Sequence, residues 1–327
     1  MRIKRFLSIA PLVLVLSIVI GTTWVTLPYY TEGPGPAREV VPLIHVDGPP
    51  LYSSAGTLIM TTVEYRQATA FTAFLAWLDP ERRVISSEVL YPPGKTPEQE
   101  HDRSISEMDT SKIDAAYVVL HTVSGYPVDH GTGALIEGVS AGCPAEGKLF
   151  AGDLIVAMNG EAVSSRAEAL RAFDAVPLDS PITFRVRAAG ETHDLTLTRG
   201  RCVSGDPPIV GITMVPNFPY RIRIESGDVG GPSAGMMYAL GLYDLLTPGD
   251  LTAGRIVAGT GTIDLGGTIG PIGGIGDKVA AAQAAGADIF LVPDGDLAGA
   301  RAASDGSMEI VPVSTMQDAL TYLRGLS

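Results

Sequence analysis

The chain has 327 residues, room for about two domains of about 100–200 residues each, and a formal net charge of −13 with 46% hydrophobic residues. That acidic balance excludes a nucleic-acid-binding role, which needs Lys and Arg clustered against phosphate, and otherwise bears on solubility alone. Only two cysteines occur, Cys143 and Cys202. A disulfide and a pair of buried thiols both remain open, because pairing requires Cα atoms within about 7 Å.

The first predicted element is an uncharged run at 6–27 (FLSIAPLVLVLSIVIGTTWVTL), preceded by Arg2, Lys4 and Arg5. A run of that length spans a bilayer. The basic cluster ahead of it predicts a single-pass transmembrane helix, with a cytoplasmic N-terminus and the remaining chain outside the cell membrane. A cleaved signal peptide is the rival, but the apolar run exceeds the usual ~7–15 residues and no clear A-x-A site follows it. Positions 31–50, rich in Pro and Gly, read as a linker. Strands are expected at 56–63 (GTLIMTTV) and 84–90 from their β-branched residues. A loop is expected at 92–106, and a helix from 111 to 122 with Ser111 or Thr110 as N-cap.

The texture changes at 133–199. Asn159-Gly160 is a strong hairpin dipeptide. A helix is expected over 164–175, capped by Ser164 or Ser165, followed by strands ITFRVRA and THDLTLT across Ala189-Gly190. This order resembles a bacterial PDZ domain, with Gly133, Ala134, Leu135 and Ile136 in the place of the carboxylate-binding loop and Gly142-Cys143-Pro144-Ala145 in that of the G-S-P-A turn. The resemblance implies capture of peptide C-termini by strand addition; a β-rich spacer without ligand is the plainer alternative. Gly142, Gly147 and Lys148 also fit G-x-x-x-x-G-K, but Leu149 stands where a phosphate loop needs Ser or Thr. No nucleotide or metal cofactor is expected.

The chemistry concentrates after 220. A strand (YRIRI) runs through a Gly-rich turn into Gly231-Pro232-Ser233-Ala234-Gly235 and an apolar helix. The pentapeptide fits G-x-S-x-G, yet an α/β-hydrolase triad needs its His after the serine. All five histidines, His45, His101, His121, His130 and His193, precede Ser233. Another base is required. Beyond Lys148 the only lysine is Lys278, at the start of a predicted helix and followed by Val279-Ala280-Ala281-Ala282. Arginine stays protonated, whereas a desolvated lysine becomes neutral near physiological pH. Asp277 is a candidate cap for that helix. Ser233 as nucleophile, Lys278 as base and the glycine-lined amides around Gly231, Pro232 and Ala234 as an oxyanion device form a consistent set. The plainer reading makes GGPSAG a Gly-rich helix entry and Lys278 a surface lysine.

GPSAG followed by AGTGTIDLGGTIGPIGGIGDKVAAAQAAGADIFLVP resembles the proteolytic domain of the Lon family. The resemblance implies a Ser-Lys dyad at Ser233 and Lys278, supported by Thr260. Gly230 departs from the family, which often has an acidic residue there. Segment 56–63 and the helix from 111 resemble the first strand and helix of the same domain. Together these imply an α+β chain: 1–30 N-terminus and transmembrane helix, 31–50 linker, 51–128 first part of the Lon-like domain, 129–202 PDZ insertion, 203–327 catalytic part. The implied protein is an ATP-independent, membrane-anchored serine endopeptidase that acts on protein or peptide substrates and assembles as a homo-oligomer, with the family's hexameric ring as the example. Two alternatives are a catalytically silent PDZ scaffold and a signal-peptidase-like Ser-Lys enzyme cutting at one fixed site.

Overall fold

A computed structural model describes residues 21–79, 81–91, 94–124, 133–188, 191–202, 210–218 and 220–326. The chain folds as two compact units, Met1–Val119 with Ile222–Ser327, and Leu120–Arg221, so the second lies in sequence inside the first. Both are α+β.

The expected N-terminal transmembrane helix is not supported. Among the described residues no helix is long and apolar enough to cross a membrane. Positions 1–20 of the chain lie outside the described residues, and the last two positions of the expected span, Thr26 and Leu27, already belong to the strand Thr26–Pro34. Helix runs from Gly21 to Trp24 and gives way to strand at Thr26, where pairing with two neighbouring strands takes over from the apolar run. This strand pairs antiparallel with Val63–Thr69 on one side and Arg83–Ser86 on the other.

Two more expectations give way in this region. Segment 31–50 is not a linker: it holds the strands Arg38–Glu39 and Ile44–Asp47, and Val40 between them is fully buried. Segment 92–106 is not all loop, because the helix Pro97–Ser124 begins there, far ahead of Ser111. Its start signal is a capping box that the Pro-rich composition masked. Thr96 Oγ1 accepts from Gln99 N at 3.2 Å and Gln99 Oε1 accepts from Thr96 N at 3.0 Å. Proline at the first helical position is no breaker, since its missing N–H has no partner to lose there.

The first unit is organised by a five-stranded sheet in the order Glu309–Val313, Ile289–Pro293, Ile256–Gly259, Thr57–Met60, Arg38–Glu39. The first four are mutually parallel and the last is antiparallel. Parallel strands are covered on both faces and therefore read as continuous apolar runs, as in Ile289–Pro293, which is buried throughout. Two helices matter for chemistry. Gly235–Leu246 is buried from Gly235 through Leu245, so it is apolar all round rather than amphipathic. Ile275–Ala284 packs Val279 and Ala282 against Ile59, Ala258, Phe290 and Val292.

The second unit is an antiparallel sheet in the order Glu191–Thr198, Pro181–Ala188, Leu154–Met158, Ala134–Val139, Ile212–Pro216. Its core includes Ile136, Leu149, Ile155, Met158, Ile182 and Phe184. The hairpin expected at Asn159-Gly160 forms with φ 50° and 86°, and the helix Arg166–Asp174 starts at Ser165, whose side chain accepts from Glu168 N. Cys143 and Cys202 form a disulfide across 59 positions. Closing so long a loop removes unfolded-state entropy worth about 2–4 kcal/mol. Replacing both cysteines by serine should lower the urea-unfolding free energy of this unit by about that amount. Dithiothreitol should reproduce the loss in the wild type and have no effect on the double variant.

Candidate active site

The turn that carries Ser233 is built by backbone constraints. Gly231 has φ 81°, a left-handed conformation open to glycine, and its N–H donates to Ser104 O at 2.8 Å. The 3₁₀ turn Pro232–Ala234 follows and runs directly into the buried helix. From the long helix, Ser111 Oγ donates to Pro232 O at 2.9 Å. On the other side Gly261 N donates to Ser233 O at 2.8 Å, and Met236 N donates to Gly261 O at 3.1 Å. Ser233 is thus held by its main chain from two directions, with its side chain at the half-buried surface of the unit. A cleft of about 210 Å³ lies beside it, lined by Ser106, Glu107, Thr110, Ser111, Asp114, Pro232 and Ile263.

Lys278 arrives from the opposite side. Its helix starts at Gly274, a left-handed N-cap, and Asp277 is not the cap expected from the sequence. Lys278 is 3% exposed and Thr260 is 1% exposed. Thr260 lies one residue past the carboxyl end of the parallel strand Ile256–Gly259, the end at which open α/β sheets place their sites. Its hydroxyl joins the two partners: Lys278 Nζ donates to Thr260 Oγ1 at 3.1 Å, and Thr260 Oγ1 donates to Ser233 O at 3.1 Å. The hydroxyl proton is committed to a carbonyl, so toward the lysine Thr260 acts as an acceptor.

Burial decides the charge state of the amine. Desolvation pushes the Lys278 ammonium down from 10.5 to about 8, and the carboxylate of Asp296 pulls weakly the other way. Asp296 is itself tied to the loop before the helix, accepting from Ile272 N at 2.9 Å. Asp277, by contrast, points to Arg83 Nη2 at 2.7 Å.

The sequence-derived residues Ser233, Lys278, Thr260, Gly231, Pro232 and Ala234 therefore share one neighbourhood. Sequence reasoning missed Ser104, Ser111, Asp296 and Arg83. Three of these are far away in the chain and none has a local motif; Ser111 was read only as a helix cap. Gly133, Ala134, Leu135 and Ile136 lie in the second unit at the head of Ala134–Val139. That strand is paired on both sides, with Leu154–Met158 and Ile212–Pro216, and so offers no open edge to a peptide.

Comparison with known proteins fits this geometry. Residues 221–324 are matched by the family model of the Lon protease (S16) C-terminal proteolytic domain. Among curated relatives, Lon protease 2 of Bacillus subtilis (strain 168) is 36% identical over 104 residues, covering 32% of this chain. Lon protease of Campylobacter concisus is 38% identical over 109 residues, also 32% of this chain. The chain spans only 17% and 13% of the length of those two relatives. Among solved structures, the PDZ domain of the SdrC-like protein of Listeria monocytogenes is 24% identical with a TM-score of 0.24, covering 26% of this chain and 88% of that domain.

A buried lysine carries a stability cost with a definite pH dependence. Below about 8 folded and unfolded chains both hold the proton, and the folded state bears the whole penalty; between about 8 and 10.5 only the unfolded chain holds it, so stability rises with pH. Lys278→Met should raise the unfolding free energy at pH 7 by about 2–3 kcal/mol. Chemical denaturation at a series of pH values should show that advantage shrinking once the pH passes 8.

Proposed function

We propose that the chain is a serine endopeptidase in which Ser233 is the nucleophile and Lys278 the general base. The observation that carries this reading is the Thr260 hydroxyl between the Lys278 amine and the Ser233 main chain, with the lysine almost fully buried. Neutral Lys278 takes the Ser233 proton as Oγ attacks the scissile carbonyl carbon. Pro232 has no N–H and that of Gly231 is committed to Ser104 O, so the main-chain N–H groups of Ser233 and Ala234 in the 3₁₀ turn hold the resulting oxyanion. Lys278 then gives the proton to the leaving amine, the C–N bond breaks, and water hydrolyses the acyl-enzyme by the same route in reverse. No step consumes ATP. Suitable substrates are flexible tails or unfolded segments.

Peptide capture by the second unit is part of the proposal, with its location revised. The strand Ile212–Pro216 is at the edge of the sheet, and Arg166 of the neighbouring helix donates to Met214 O at 2.8 Å. An extended peptide added along that edge gains main-chain hydrogen bonds. The disulfide supports an oxidising, extracytoplasmic location. A homo-oligomeric ring, hexameric as the Lon resemblance implies, completes the reading.

Ser233→Ala and Lys278→Ala should each abolish cleavage of an unstructured protein such as casein. The wild-type rate should rise with pH through an apparent pKa near 8, since the base works as the free amine. Normal turnover by Lys278→Ala would sink the dyad. A wild-type oligomer that neither cleaves casein nor takes a fluorophosphonate label at Ser233 would leave a binding protein instead.

A further inference from the structure

The first turn of the lysine helix carries a second buried ionisable group. Asp277 is 5% exposed and immediately precedes Lys278. An unbalanced carboxylate on the residue next to a buried amine favours the ammonium form. The structure instead directs this carboxylate elsewhere. Arg83 Nη2 stands 2.7 Å from Asp277 Oδ2 and 3.2 Å from Glu32 Oε2, and Tyr65 OH donates to Glu32 Oε1 at 3.1 Å. Arg83, Glu32 and Tyr65 come from the three strands of one small sheet, Arg83–Ser86, Thr26–Pro34 and Val63–Thr69.

The same sheet abuts the start of the helix. A Cβ on Gly274 would lie 2.5 Å from Val63 Cγ2, so the cap residue and the strand are in contact with no space to spare. Adjacent residues on a helix project about 100° apart. Asp277 accordingly faces the sheet, while Lys278 faces Thr260.

We propose that Arg83 is a positioning residue for the base: by holding Asp277 toward Glu32 it balances the charge beside the buried amine and sets the rotation of the lysine helix, so that Lys278 meets Thr260 uncharged. The proposal rests on the reading of Lys278 as the base. The groups involved are few. Asp296 acts on Lys278 directly; Arg83, Glu32 and Tyr65 surround Asp277. Burial raises the Asp277 carboxyl, Arg83 lowers it and Glu32 raises it. Without Arg83, two poorly solvated carboxylates remain together, and the one that stays ionised pulls a proton onto Lys278.

The chain's five lysines (Lys4, Lys95, Lys112, Lys148 and Lys278) make a direct measurement practical. In full-length protein labelled with [13Cε]lysine, the Lys278 signal is assigned by its loss in Lys278→Arg, and its titration is followed by NMR beside the pH–rate profile for casein. Arg83→Gln should move the titration midpoint and the acid limb of the profile upward together, by about one pH unit. Arg83→Lys should keep most of the wild-type position, and Arg83→Gln with Asp277→Asn should restore it. A midpoint unmoved in Arg83→Gln, or a rate loss uniform across pH, would overturn the proposal. If Arg83→Gln does not fold, Asp277→Asn decides: it removes the anion and should leave the midpoint at or below the wild-type value, so an upward shift would count against the proposal. The NMR midpoint is read without catalysis. Absence of cleavage would therefore refute the protease reading and leave the Arg83–Asp277 coupling to its own test.

Discussion

A lysine amine held away from water sheds its proton more easily than one in water, and burial brings Lys278 down to about 8 with the Asp296 carboxylate opposing it. Lys278 is packed beneath a parallel sheet, with a threonine hydroxyl as its hydrogen-bond partner and Asp296 as an opposing counter-charge. Everything else in the site follows from keeping that amine dry. Val279 and Ala282, on the same helix, go into the core and fix the helix against the strands. Thr260, at the carboxyl end of the central strand, then becomes the bridge to Ser233.

The serine is held differently. Its turn gains no rigidity from side-chain packing at its own position. It is held by main-chain hydrogen bonds to Ser104 and Gly261, with Ser111 fastening Pro232. Hydrogen bonds of this kind contribute about 1 kcal/mol each to stability, but they fix the main chain that carries the Ser233 side chain. The glycines around Ser233 are consistent with that demand. A Cβ on Gly235 would collide with Ser111 and with Ile263, so the turn and the long helix approach more closely than any other residue permits.

Much of this was legible in the sequence. The strand within 56–63, the Ser165 cap, the Asn159-Gly160 turn and the G-P-S-A-G helix entry are local patterns with local causes, and they appear where expected. The failures have local causes too. The stretch 92–106 read as a loop from its prolines and charges because the capping box at Thr96 and Gln99 was overlooked. The apolar run at 6–27 was read by hydropathy, which does not show where a helix stops; pairing with two strands starts at Thr26, inside the run. Gly133–Ile136 resembled a peptide-binding loop in order and spacing; in the structure Gly133 precedes a strand, and Ala134–Ile136 lie in it between two neighbouring strands.

By itself, the sequence determined the candidate chemistry: with every histidine upstream and a single lysine after Lys148, Ser233 and Lys278 were the pair to consider. Only the tertiary structure decided whether that lysine is buried, what it touches and which way Asp277 turns. Charge state is the reason for the division. A residue type states which protons a group can exchange, but the free energy of exchanging them depends on solvent exclusion and on charges such as Asp296 and Arg83, brought near by folding across 18 and 194 positions of chain respectively from Lys278 and Asp277.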